Sequence, residues 1–90
     1  MNSYKISIHQ QVGLDLVKEI EFEESITQDA KCRTYKELEK LSDLEDGEYY
    51  AVLYVFRSEK WEEVNGMPHV PFEICNKEYK LTAPKPDFCK

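Results

Sequence analysis

Acidic, aromatic, and sulfur- or imidazole-bearing side chains are the groups in this sequence whose types and spacing could do chemistry. Glu19, Glu21 and Glu23 alternate along Leu14–Glu24. On a β-strand they point to one side of the sheet, about 6.7 Å apart. Glu37, Glu39, Asp43, Glu45 and Asp46 continue the negative charge through the next segments. A regular row of carboxylates on a rigid scaffold can imitate a phosphate backbone and steer a basic groove onto itself. The same row on a small protein also serves solubility.

The aromatic group lies in Glu48–Arg57, the longest apolar run, which is rich in β-branched and aromatic residues and therefore suits a strand. At a period of two, one side carries Tyr49, Ala51, Leu53 and Val55, and the other Tyr50, Val52, Tyr54 and Phe56. Neither side is polar, which predicts a central strand covered at least partly on both faces. One small helix covers one face, so Tyr50, Tyr54 and Trp61 are candidate anchors for a partner on the other.

The sulfur and imidazole groups are Cys32, Cys75, Cys89, His9 and His69. They form no C-x-x-C and no H-x-x-x-H, so no metal ligand set and no cofactor is expected. Cys75 lies six residues from His69, but no oxyanion or phosphate-cradling signature accompanies the pair, and no catalytic residue is assigned. Three sparse cysteines do not make a disulfide framework; reduced, mostly buried thiols are expected, with Cys89 in the tail the most exposed.

The elements that must position these groups follow from periodicity. Tyr4–His9 alternates apolar and polar residues as a half-buried strand, and Lys18–Glu23 alternates strictly enough to be its hairpin partner. Thr34-Tyr35-Lys36-Glu37 has the form of a capping box, and Tyr35, Leu38 and Leu41 make a stripe behind it, which predicts a helix at about 34–43, with an earlier start near 26 as the alternative. After the central strand come Trp61–Val64, an Asn65-Gly66 turn, Val70–Cys75, and a short strand at Tyr79–Leu81. The order β-β-α-β-β-β describes an α+β protein: a largely antiparallel sheet of about five strands with one helix on one face. Residues 1–83 form one domain, and 84–90, with Pro84 and Pro86, an extended tail.

Ninety residues with 41% hydrophobic and 33% charged content describe an ordered globular chain. No apolar run reaches the roughly 18 residues of a membrane span, and Met1–Lys5 lacks a leader pattern, so a cytoplasmic location is expected. Net charge is −6, and it is uneven: Asp15–Glu48 carries twelve acids and five bases. That acidity argues against nucleic acid or an anionic membrane as direct ligands and favours a larger basic protein. The expected function is a non-enzymatic protein-binding module: an acidic inhibitor or antagonist of a nucleic-acid-handling protein, of the type phages and mobile elements direct against host defences. The alternatives are a structural or regulatory subunit that homodimerises through an aromatic sheet face, and a small thiol or metal enzyme.

Overall fold

A computed structural model describes residues 1–89. β1 (Asn2–Gln10) and β2 (Leu16–Glu24) form the first hairpin, closed by a turn in which Gly13 and Leu14 both take positive φ. α1 (Thr27–Glu39) then crosses one face and returns the chain to β3 (Gly47–Arg57), which runs antiparallel to β1. β4 (Lys60–Glu63), β5 (Val70–Cys75) and β6 (Glu78–Leu81) follow. The α+β architecture is the expected one. All four segments after the helix are strands, so the sheet has six strands among the described residues instead of about five.

The sheet order is β2-β1-β3-β5-β6, entirely antiparallel. β3 pairs with β1 along one edge and divides its other edge between β5, at Gly47–Ala51, and β4, at Tyr54–Arg57. This is the central position its two apolar faces require.

The helix begins at Thr27, in line with the alternative start near 26 and seven residues before the capping box predicts, and stops at Glu39. Its N-cap, Ile26, makes no side-chain cap hydrogen bond. Thr34, the residue that reads as a cap, sits fully buried inside the helix, and its hydroxyl donates to the Ala30 carbonyl at 3.0 Å. Such a back-bond gives a buried hydroxyl a partner without ending the helix. Leu41 and Leu44 lie beyond the helix but remain in the core.

The core fills the space between α1 and one sheet face. Tyr4, Ile6 and Ile8 of β1 meet Leu53 and Val55 of β3 and Phe72 of β5, with Ala30, Tyr35 and Leu38 above them. Each large side chain fully buried in this way contributes roughly 1.5–3 kcal/mol of transfer free energy. Tyr4 also exchanges a 3.1 Å hydrogen bond with Thr27, which ties the start of the helix to the first strand.

Two expectations fail at the C-terminal end. Residues 84–89 are not a free extension: Asp87–Cys89 forms a 3-10 turn against α1, and Lys85 pairs with Glu39 at 3.1 Å. The cysteines are not all reduced and buried. Cys32 on α1 is bonded to Cys89, and Cys75 is the exposed free thiol. The two bonded residues are 57 positions apart, a separation that no local pattern marks, yet the fold brings their Cα atoms to 5.1 Å, well within disulfide reach.

Candidate interaction face

Among the described residues, the sheet face opposite α1 carries no second layer. Strand parity decides what it displays. Because Tyr4, Ile6 and Ile8 point into the core, Ser3, Lys5, Ser7 and His9 point outward. Their partners on β2 are Glu23 opposite Ser3, Glu21 opposite Lys5, and Glu19 opposite Ser7. Their partners on β3 are Tyr54 opposite Lys5, Val52 opposite Ser7, and Tyr50 opposite His9. Beyond β3, Glu63 lies beside Tyr54, Trp61 beside Phe56, and Pro71 beside Tyr50. The carboxylate row and the aromatic row therefore share one face, with a single strand between them.

Lys5 connects the two rows. Its Nζ is 3.2 Å from Glu19 Oε2, 4.6 Å from the centre of the Trp61 ring and 5.6 Å from that of Tyr54. A lysine held between a carboxylate and two ring faces gains from both interactions, and its stem covers the strand beneath. Val52 and Ser7, in the middle of the face, are each only 4% exposed. The flanking side chains thus shield the centre without a second layer.

At the end near the first hairpin, Tyr50 is stacked between two imidazoles. His9 lies 5.0 Å from it and His69 5.5 Å, with the planes within 12° and 10°. The His9 Nδ1–H donates to the Leu14 carbonyl at 3.2 Å, and His69 Nε2 contacts Glu63 at 2.7 Å. At the opposite end, Phe56 and Trp61 meet edge to face at 5.2 Å, and Phe56 is 44% exposed.

The remaining candidate acids lie elsewhere and already have partners inside the chain. Glu37 pairs with Arg33 and Lys40 along the helix. Glu39 holds Lys85 of the tail. Asp43 accepts from Lys18 Nζ at 2.7 Å, a hydrogen bond that holds its carboxyl below the usual range. Asp46 accepts the backbone N–H groups of Asn76 and Lys77, both at 3.0 Å, and those donors lower its pKa in the same way. Glu45 is exposed, and its backbone carbonyl accepts the Tyr49 hydroxyl. The structure thus brings together Glu19, Glu21, Glu23, Tyr50, Tyr54 and Trp61, and separates Glu37, Glu39, Asp43, Glu45 and Asp46 from them.

Lys5 and Glu63 are members of the face that the sequence did not single out, and His9 and His69, weighed there for metal binding and catalysis, belong to it as well. The outward parity of Lys5 and His9 was legible, but their neighbours depend on the pairing of β1 with β3. Cys75 and His69 flank opposite ends of β5, roughly 20 Å apart at the usual rise, too far to act as a nucleophile–base pair. Among the described residues, no group of three or more His, Cys, Asp or Glu side chains is placed to hold a metal ion. No helix in the described residues is long and apolar enough to cross a membrane.

The chain matches no family model, no curated protein and no solved structure.

Proposed function

We propose that this protein is a binding module whose open sheet face docks on a basic surface of a larger protein. In this reading it acts as an inhibitor or antagonist that occupies a nucleic-acid-handling site, as phage anti-defence and immunity proteins do. The observation that carries the reading is the shared face. Glu21 stands in register with Tyr54 across Lys5, Glu19 and Glu23 flank it on the same side of β2, and Tyr50 on β3 and Trp61 on β4 extend the aromatic row. Carboxylates at regular spacing steer a cationic partner and raise the association rate, while large rings that become desolvated in the complex set its lifetime. The site uses the outward row of carboxylates only; the helix-side acids contribute to the fold.

The testing experiment is a pull-down of the tagged chain from cells that naturally express it, at low and high salt, with captured proteins identified by mass spectrometry. A basic nucleic-acid enzyme captured at low salt and lost at high salt, and not captured by the Tyr54→Ala/Trp61→Ala variant, supports the reading. Capture that survives high salt and both substitutions overturns it. Recovery of only the chain itself transfers the weight to homodimerisation through the aromatic face.

A further inference from the structure

The free edge of β2 points to how the partner is held. We propose that β2 accepts an added β-strand from the partner, an extended segment that alternates basic and apolar residues. This deepens the reading above and rests on it for the basic character of the partner.

The edge itself is the first observation. β2 ends the sheet, spans nine residues with a register irregularity opposite Ile8–His9, and among the described residues pairs only with β1. The four-residue strands β6 and β4 are short, as protected edges commonly are, whereas β2 is long and contains no proline.

Which backbone groups face outward can be worked out across the sheet. Leu53 gives its carbonyl to Val64, on the side of β3 away from β1. In antiparallel pairing, alternate residues direct both N–H and C=O to the same side. Tyr50, Val52 and Tyr54 therefore bond to β1, Lys5, Ser7 and His9 to β3, and Tyr4, Ile6 and Ile8 to β2. That leaves Glu19, Glu21 and Glu23, in the regular part of the β1–β2 pairing, with their peptide groups aimed at the free edge. The Arg33 side chain donates to the Glu23 carbonyl at 3.2 Å, as this assignment requires.

The same residues carry the outward carboxylates. A strand added here forms its hydrogen-bonded pairs opposite Glu19 and Glu21 and takes the N–H of Glu23, whose carbonyl Arg33 already occupies; its side chains at those positions lie beside the carboxylates, at Cα separations of about 5.5 Å. Lysine or arginine at three alternate positions satisfies all three. Among the described residues Glu21 and Glu23 have no ion-pair partner, so they are available. The intervening positions of the incoming strand lie on the core side, beside Ile20, which is only partly buried, and extend its packing there. A two-fold-related second copy is the poor occupant. It would set Glu19, Glu21 and Glu23 opposite each other, and like charges directly across a strand pair are destabilising.

The test uses the full chain, labelled with nitrogen-15, and a synthetic seven-residue peptide, acetylated and amidated, of sequence Lys-Val-Lys-Val-Lys-Val-Thr. One control has its three lysines contiguous; another is N-methylated at each lysine, which removes the ladder donors without altering the protein. Saturating alternating peptide is expected to slow amide exchange at Glu19, Glu21 and Glu23 by about tenfold or more. Both controls are expected to lose that protection, and Glu21→Lys to weaken binding by about tenfold. Equal protection by either control overturns the proposal, as does binding that leaves the β2 amides unprotected. Shifts confined to Tyr54 and Trp61 overturn strand addition while supporting the open-face reading. No response at either place overturns strand addition alone, because the pull-down judges the face independently.

Discussion

Lys5 and Glu19 form a diagonal pair across β1 and β2: Lys5 stands directly opposite Glu21, yet its Nζ lies 3.2 Å from Glu19. The diagonal choice places the ammonium over the Trp61 ring and leaves Glu21 without a cation among the described residues. The most enclosed cation of the open face therefore serves the aromatic row and offsets only one carboxylate.

Replacing it should separate these two roles. Lys5→Met keeps most of the apolar stem and loses the charge, so a stability loss of only about 0.5–1 kcal/mol is expected in urea denaturation. Association with a basic partner should become faster at low salt, because the face grows more negative. An association rate that does not rise would show that the steering charge lies elsewhere.

Asp43 and Asp46 should contribute to acid sensitivity. Both carboxyls are held below their ordinary range in the folded protein, by Lys18 and by the Asn76–Lys77 backbone respectively. The folded state thus binds these protons more weakly than the unfolded chain. Their stabilisation is present above the unfolded value of about 4 and is lost as pH falls through the lower folded values. Urea midpoints of Asp46→Ala should decline less steeply than those of the parent over this acid range. Parallel profiles would assign the turn another source of order.

Tyr79 gives a test at the alkaline end. Its hydroxyl is buried without a hydrogen-bond partner among the described residues, and burial pushes its pKa up to about 12. The neutral form is favoured in the fold, so this contribution is intact below the unfolded value of about 10 and is lost as pH rises towards 12. Tyr79→Phe removes the unpartnered hydroxyl and should be neutral or stabilising by up to about 1 kcal/mol at neutral pH. It should also reduce the alkaline loss. A clear destabilisation at neutral pH would mean that the hydroxyl has a partner in solution, such as a water.

The Cys32–Cys89 bond can be weighed by Cys32→Ser/Cys89→Ser. Cross-linking residues 57 apart restricts the unfolded chain, and a loss of about 2–4 kcal/mol is expected. The core between α1 and the sheet does not depend on the bond, so far-ultraviolet circular dichroism should stay unchanged while the thermal midpoint falls. Intact mass before and after reduction and alkylation checks the bond directly: two thiols should become available only after reduction.

The fold was legible where side chains follow a period. β1 and β3 could be read from alternation because one of their faces, or both, is largely buried, and β2 because Lys18–Glu23 alternates strictly although Phe22 is its one buried residue. The helix start was legible only as the alternative near 26, because Ile26 supplies no side-chain cap and Thr34 bonds backward within the helix. The disulfide and the folded tail depend on contacts between residues far apart in sequence. For the candidate face, the parity of Glu19, Glu21 and Glu23 was visible, but their proximity to Tyr54 and Trp61 was not. It depends on which strands become neighbours after the helix crosses. The acids of 37–46 resemble the outward row in composition, and only their internal partners distinguish them.

The divided edge of β3 has a consequence for motion. β1 holds one side of β3 without interruption, while the other side is shared by two strands that meet near the Val64–Leu53 hydrogen bond. The four-residue arm carrying Trp61 can therefore peel away while the β1–β3 ladder stays closed. Its amides should exchange at a lower free energy than those of β1. Trp61 fluorescence would then report on the hinging of one arm before it reports on denaturation, and a ligand that seats against the ring would act as a latch.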